Sequence, residues 1–150
     1  SKYYISKEKY EDMIAFKVEP KDLLISCSGT VGKISEVPKD AKPGIINQAL
    51  LKLTLNQDIM NNTYFIHLFR NDQIQDKLFG FSRGSGIPNF PPMNEVKSIE
   101  FLCPPMKLQN EFADFVKQVD KLKSQMETSL KELEDNFDSL MQKAFKGELF

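Results

Sequence analysis

The stretch LQNEFADFVKQVDKLKSQMETSLKELEDNFDSLMQKAFKGELF, Leu108–Phe150, decides the fold of this 150-residue chain. Its apolar residues recur at alternating steps of three and four, which is the spacing of a seam between packed α-helices. The predicted seam consists of Phe112, Phe115, Val119, Leu122, Met126, Leu130, Leu133, Phe137 and Leu140, and it continues to Ala144. Two consecutive steps of four around Met126 form a stutter, which predicts local unwinding of the supercoil near Ser129.

Two breaker signals bound the predicted helix. Pro104-Pro105 mark its start and Gly147 its end, which gives about 40 helical residues and a rod of about 60 Å. We therefore divide the chain into a body, residues 1–104, and a helix, residues 105–150. No apolar stripe elsewhere in the sequence matches the seam, so we expect the protein to work as part of an assembly.

Composition limits the body to one ordinary core. The chain is 41% apolar, which suits one hydrophobic core and a single small domain of mixed α/β structure. Cys27 and Cys103 lie in apolar, strand-like surroundings and are predicted to be buried, reduced thiols, while one His and two scattered Cys argue against a metal site. The sequence shows no long apolar run and no signal peptide. We expect a cytoplasmic α+β protein without a membrane segment.

Charge is unevenly distributed between the two parts. Residues 1–107 hold 14 Lys and Arg against 12 Asp and Glu, a balance of +2, whereas residues 108–150 hold 6 against 9, a balance of −3. Proteins that bind DNA regardless of sequence usually carry a much stronger and more clustered positive charge. If this body binds DNA, a few well-placed contacts must contribute more than bulk charge.

The body reads as a β-hairpin and a third strand, followed by helical segments. Gly29-Thr30 are predicted to join the hairpin strands, and Gly80 to end the first helix. The predicted elements are strands over Leu23–Ser28, Val31–Val37 and Ile45–Leu53, one helix from Asn61-Asn62 to Gly80, a short helix over Asn94–Ser98 and a strand over Glu100–Cys103. Between the two helices, Phe81–Pro92 contains glycines and prolines that exclude a regular element.

Several enzymatic motifs can be tested against the sequence, and each fails. Ser28–Ile34 looks like a phosphate-binding loop, but its glycines are too close and Ile34 stands where a hydroxyl is needed. Asn89–Pro92 has the residues of an amino-methyltransferase motif in scrambled order, and Glu19–Lys21 has the end of a nuclease motif without its acidic partner. His67 fits a packing or surface position. We therefore predict no catalytic residues and no cofactor.

Five segments along the chain carry a resemblance when they are taken together and in order. They are Asp22–Lys33, Asn47–Leu51, Gly84–Asn89, Cys103–Met106 and Leu140–Leu149. They resemble the specificity subunits of type I restriction-modification enzymes, in which the body is similar to the target recognition domain and the helix to the spacer helix. Family members usually carry two recognition domains and two spacer helices, whereas this sequence has one of each and looks shortened ahead of Asp22. It is expected to be a split or truncated subunit, or one completed by another chain.

The resemblance implies a non-catalytic protein that reads double-stranded DNA. It implies adenine methyltransferase subunits as partners and, through them, the restriction subunit, all directed to a bipartite site. Base edges and phosphates are typically contacted by Arg, Lys, Asn, Gln, Ser and Thr. The candidate DNA-binding residues are Arg83, Ser85 and Asn89 on the loop, with Lys33, Thr30 and Gln48 at the hairpin and third strand. Purely structural roles in shaping the hairpin and the strand end are equally open for Thr30 and Gln48.

The resemblance leaves open what covers the seam. In the family, two spacer helices of one subunit pair antiparallel. With one helix, we expect a homodimer in which residues near Phe112 face residues near Ala144 and Leu130 lies close to the two-fold axis, or pairing with a second specificity fragment. The alternative function is an assembly module or decoy that docks methyltransferase subunits through the helix without reading DNA.

Overall fold

The computed structural model describes residues 5–80 and 90–148, which form small antiparallel sheets followed by one long helix. The chain divides into two compact units, Ser1–Asn110 and Glu111–Phe150. The helices and strands of the described residues are α1 (Lys7–Asp12), β1 (Lys17–Val18), β2 (Leu23–Ser26), β3 (Ile34–Glu36), β4 (Gly44–Ile45), β5 (Leu50–Leu53), α2 (Asn62–Phe69), α3 (Asp72–Phe79), α4 (Met93–Lys97) and α5 (Met106–Phe145).

The predicted hairpin is confirmed as the centre of a three-stranded sheet. Its strand order is β3-β2-β5, and both neighbours of β2 are antiparallel to it. Ile25 lies opposite both Ile34 and Leu51, on the face that is packed. Because side chains alternate along a strand, Leu24 and Ser26 lie on the opposite face. That second face carries the site described below.

The core lies between this sheet and the first two helices that follow it. Strand residues Leu23 and Ile25 are 0% and 2% exposed, and Phe69 of α2 is 2% exposed. The buried cluster consists of Leu23, Ile25, Ile34, Phe65, Phe69, Ile74 and Leu78. The buried residues of α2 and of α3 lie four positions apart within each helix, which is the spacing of an apolar helix face.

The predicted third strand, Ile45–Leu53, is wrong as a single element. Its first residue belongs to β4, which pairs with β1, and its end forms β5, which pairs with β2. Asn47 separates the two parts, because its side-chain oxygen accepts the amide proton of Ala49 at 3.1 Å and its carbonyl accepts that of Leu50 at 3.2 Å. Asn side chains favour such local turns over a continuing ladder.

The single helix predicted from Asn61-Asn62 to Gly80 is also wrong, because two helices occupy the segment. Asn61 caps α2 by accepting the amide proton of Tyr64 at 3.2 Å, as predicted for this position. Asn71 caps α3 in the same way, accepting from Gln73 at 3.0 Å. The second cap ends α2 and leaves Arg70 between the helices. Gly80 ends α3.

The predictions for the segment before the long helix are mixed. The short helix predicted over Asn94–Ser98 is confirmed, shifted by one residue, as α4. Glu100–Cys103 is not a strand. The segment is held instead by ring packing of Phe101 on Phe65, with centroids 5.2 Å apart. Cys103 is exposed, contrary to prediction, and Cys27 is half-buried.

The long helix is confirmed, with 40 residues in α5. It ends at Phe145, and Gly147 follows two residues later with a φ of 72°, in the left-handed region. The Gly147 amide donates to the Ala144 carbonyl at 3.1 Å, and the Glu148 amide donates to the Lys143 carbonyl at 2.9 Å. This pair of bonds is the Schellman ending that glycine favours after a helix.

Candidate nucleic-acid interface

A rigid loop joins the two hairpin strands, and Ser26 closes it at its base. The Ser26 backbone amide donates to the Lys33 carbonyl at 2.9 Å, and the Ser26 carbonyl accepts from the Gly32 amide at 2.9 Å. The Ser26 hydroxyl oxygen accepts from the Lys33 amide at 3.0 Å, and the hydroxyl donates to the Thr30 carbonyl. Four bonds from one residue therefore fix the loop that carries Thr30 and Lys33.

Gly32 seats the same loop against helix α3. Its φ of +83° is in the left-handed region, which disfavours residues with a Cβ. A Cβ at this position would lie 2.7 Å from Cε2 of Phe79 and 2.9 Å from Oε1 of Gln75. Gly29 has a similar φ of +73°, but a Cβ there would meet nothing within 4 Å. Gly32 is thus required both by its backbone and by its close neighbours.

A cavity of about 730 Å³ lies beside this loop on the outer face of the sheet. Two of the side chains that line it are anchored to nearby backbone. Nη2 of Arg70 donates to the Ile34 carbonyl at 2.9 Å, and Nε2 of Gln75 donates to the Phe69 carbonyl at 2.7 Å. The lining residues are Leu24, Ser26, Thr30, Gly32, Lys33, Ile34, Ser35, Leu50, Arg70 and Gln75.

The cavity carries charge of one sign. Lys33 and Arg70 contribute two cations, and no Asp or Glu is among the described residues that line it. Neither cation forms an ion pair within the described part of the chain. The hydroxyl-bearing residues Ser26, Thr30 and Ser35 line the same cavity. Clefts lined by one sign of charge concentrate the opposite charge, so this surface favours an anion.

The structure brings together two of the six predicted DNA-binding residues. Thr30 and Lys33 both line the cavity. Gln48 does not, although it is exposed in the turn before β5, and the neighbouring Ala49 carbonyl accepts the Cys27 amide of the hairpin at 2.7 Å. The other three predicted residues lie outside the described residues; they are Arg83, Ser85 and Asn89.

Sequence reasoning missed Arg70, Ser35 and Gln75. The single helix predicted from Asn61-Asn62 to Gly80 places Arg70 in its interior, where nothing in the sequence marks it as a ligand-binding residue. The available signal was Asn71-Asp72, a helix start that ends the preceding helix and leaves Arg70 in the connection. Ser35 and Gln75 carry no comparable signal, because only tertiary packing brings them to the hairpin.

The surroundings of Cys27, which follows strand β2, disfavour the ionised form of its thiol. Burial raises the pKa of the Cys27 thiol above its ordinary value, and a hydrogen bond from the Leu51 backbone offsets this in part. A raised pKa leaves less thiolate at neutral pH. In residues 5–80 and 90–148, no group of three or more His, Cys, Asp and Glu could hold a metal ion. No helix in these ranges is long and apolar enough to cross a membrane.

A second surface lies along α5. Its nine predicted seam residues, Phe112 to Leu140, are all solvent-accessible, with exposed fractions from 37% at Phe112 to 67% at Leu133. Monomeric soluble proteins rarely expose a contiguous apolar surface of this kind, and such surfaces typically mark an interaction site.

Comparison with known proteins identifies the fold and the family of this chain. No curated protein sequence matches the chain. A solved structure described as the structural basis of complex assembly and conformational transition of the type I R-M system shares the fold, with a TM-score of 0.63 and 18% identity. The match covers 89% of this chain and 32% of the solved chain, so this chain spans about a third of that protein. The family model described as type I restriction modification DNA specificity domain matches residues 2–135, and the chain therefore belongs to that family.

Proposed function

We propose that this chain is the DNA-reading specificity subunit, or half-subunit, of a type I restriction-modification complex. In this role it directs adenine methyltransferase and endonuclease subunits to a bipartite site. The observation that carries the proposal is the cavity beside the hairpin loop, where cations and hydroxyls meet without a carboxylate. Arg, Lys, Ser and Thr side chains are among the usual donors to the phosphates and sugars of DNA.

We assign the chemistry to the partner subunits. Among its described lining residues, the cavity has no His, Cys, Asp or Glu that acts as a nucleophile or a general base. The lining favours holding an anionic polymer over transforming a substrate. Arg83, Ser85 and Asn89 remain our candidates for reading bases, with Gln48 as a further contact beside the hairpin.

Selection from a pool of random DNA duplexes tests the proposal. The full chain should enrich a defined motif, and Arg83→Ala should weaken binding to that motif by about 1–3 kcal/mol, the worth of one good base contact. Circular dichroism of the variant controls for folding. Equal recovery of all sequences would contradict sequence recognition, and unchanged affinity of Arg83→Ala would remove that residue from the interface.

We further propose that a second copy of the chain covers the seam on α5. The spacing of the seam is symmetric about Met126, since residues lie at equal distances on either side of it. The resulting pairs are Phe112 with Leu140, Phe115 with Phe137, Val119 with Leu133, and Leu122 with Leu130. Two antiparallel helices aligned on Met126 place every one of the nine seam residues opposite a seam residue of the other copy. The axis then passes near Met126, and Phe112 faces Leu140 rather than Ala144.

The stutter selects this register over its neighbours. A seam of uniform heptads would pair equally well after a shift of seven residues, because its pattern repeats. Here, sliding one helix along the other by seven residues can set Leu130 of one copy opposite Ser129 of the other, where the apolar pattern is interrupted. Only alignment on Met126 places the stutter of one helix opposite the stutter of the other. The irregularity therefore specifies a single alignment.

Charge along the helix favours the same antiparallel pairing. Residues 117–123 carry three lysines against one aspartate, and residues 129–135 carry three acidic residues against one lysine. In the proposed register these two segments face each other, so a net positive segment meets a net negative one. In a parallel dimer, each segment would meet its own copy. Charges beside a coiled-coil seam determine orientation in this way.

The exposed seam also supports a second candidate function. A protein whose helix docks methyltransferase subunits, and whose body does not read DNA, would act as an assembly module or decoy. In that case the exposed seam on α5 would be the surface that binds the methyltransferase subunits. The two candidates differ in the duplex selection, because the assembly module enriches no motif while still forming a complex with methyltransferase subunits.

A further inference from the structure

Two cations from distant parts of the chain meet at the cavity beside the hairpin. Lys33 ends the hairpin loop, and Arg70 follows helix α2. Both line the same cavity, and the Arg70 guanidinium is anchored by its 2.9 Å bond to the Ile34 carbonyl, next to Lys33 in the chain. We propose that this cavity binds one backbone phosphate of DNA, held by Arg70 together with Lys33. The inference rests on the proposed DNA-reading function and adds Arg70 as a contact residue.

The anchoring of Arg70 leaves donors available for a ligand. A guanidinium has five N–H donors in a fixed fork, and only one bond, to Ile34, is made within the described residues. The remaining donors suit the paired oxygens of a phosphodiester, which Arg binds in a bidentate manner. Lys33 is exposed and its ammonium group has no ion-pair partner in the described chain. It supplies a second, more flexible positive charge.

Rigidity favours a phosphate over a base edge as the ligand. The loop is fixed by four bonds from Ser26, and Gly32 is seated against Phe79. Arg70 is tied to the strand that begins at Ile34. Contacts held by backbone in this way set the position of the protein on the duplex, which is the role of phosphate contacts. Hydroxyls such as those of Thr30 and Ser35 in the lining are typical additional donors to phosphate oxygens.

The salt dependence of DNA binding tests this assignment. Each phosphate contact that is lost lowers the slope of log K against log salt concentration by about 0.9 for duplex DNA. Fluorescence anisotropy with a short duplex of mixed sequence, over a series of NaCl concentrations, measures the slope for the full chain. Arg70→Gln removes the charge but retains an amide that can donate to the Ile34 carbonyl, and Lys33→Gln is its counterpart on the loop. Because the two cations hold one phosphate, we expect each variant to reduce the magnitude of the slope by up to about 0.9.

A matched control separates a local contact from a change of net charge. Lys131→Gln makes the same charge change on exposed helix α5, outside the cavity, and should leave the slope unchanged. Arg70→Lys keeps the positive charge and should retain the slope. If it does, a loss of slope in Arg70→Gln comes from the missing charge and not from replacing the arginine as such. An unchanged slope in Arg70→Gln, or an equal loss in Lys131→Gln, would overturn the phosphate assignment and leave DNA recognition standing. If the unmodified chain binds no duplex at any salt concentration, both fail together.

Discussion

The backbone amide of Asn61 donates a hydrogen bond to Oε1 of Gln109 at 2.8 Å. Gln109 is 0% exposed, and its Nε2 donates to the carbonyls of Ile59 at 3.0 Å and Pro104 at 2.7 Å. One buried amide thus satisfies three backbone groups at the start of α2 and of α5. Such a fully paired buried group rigidifies its surroundings, and the loss of either partner leaves a costly unpaired group.

We predict that Gln109→Leu lowers the free energy of unfolding by about 2–4 kcal/mol. The leucine has nearly the same size, so the loss comes from the three hydrogen bonds that the buried side-chain amide makes with backbone groups of Asn61, Ile59 and Pro104. Urea denaturation followed by circular dichroism measures it. Gln142→Leu, an exposed substitution on α5, is the control and should change stability little. Equal stability of both variants would contradict a structural role for Gln109.

The two hairpin glycines allow a test of the close packing beneath the loop. Both have positive φ, so substitution by alanine costs each about 1–2 kcal/mol through the backbone. Only Gly32→Ala adds a clash, with Phe79 at 2.7 Å, because Gly29 faces open space. We predict that Gly32→Ala is less stable than Gly29→Ala by about 1–3 kcal/mol, as overpacking usually costs. Equal midpoints in urea would show that the loop does not rest on α3.

The sequence predicted the elements that follow regular patterns. The period of α5, its glycine ending and the hairpin between Leu23 and Val37 were readable from residue spacing and breaker residues. Two errors have one cause, since Asn47 and Asn71 form local side-chain bonds that interrupt an otherwise continuous apolar pattern. A pattern of apolar residues contains no information about such side-chain bonds. The asparagine itself is the sequence feature that indicates the interruption.

The site was only half predictable for a related reason. Thr30 and Lys33 are adjacent to the two glycines of the hairpin loop, and this local pattern indicates a loop that can approach a ligand. Arg70 and Gln75 reach the same cavity through the packing of α2 and α3 on the sheet, which no local pattern encodes. The seam was readable because the regular spacing of its apolar residues is visible in the sequence alone.

Charges placed in the seam should abolish self-association. We predict that Leu122→Glu with Leu133→Glu converts a dimer into a monomer, because burying unpaired charges costs about 3–5 kcal/mol. Helicity beyond residue 108 should fall with it, since an isolated helix is marginally stable. Sedimentation at micromolar concentration and circular dichroism measure both. The control, Ser124→Glu with Gln142→Glu, adds the same charge away from the seam and should remain dimeric. An unmodified chain that sediments as a monomer with full helicity would contradict the homodimer.

Cysteine cross-linking tests the register about Met126. In a background with Cys27→Ser and Cys103→Ser, Met126→Cys should form a disulfide-linked dimer on mild oxidation, because the two copies meet at the axis. Phe112→Cys should not, since its counterpart in the second copy lies at the far end of an antiparallel pair; disulfides require Cα atoms within about 7 Å. Cross-linking of both variants would indicate a parallel dimer. Cross-linking of neither, in a chain that sediments as a dimer, would place the axis elsewhere.

The adenine methylation pattern of the host genome, compared with and without this gene, tests the central claim most directly. If the chain reads DNA for partner methyltransferases, its deletion should remove N6-methyladenine from one bipartite motif and leave other methylated motifs unchanged. A homodimer further predicts that the lost motif is palindromic with a fixed spacer, because two-fold symmetry in the protein is mirrored in the site. An identical methylation pattern in both strains, in a host that expresses the methyltransferase subunits, would contradict the account.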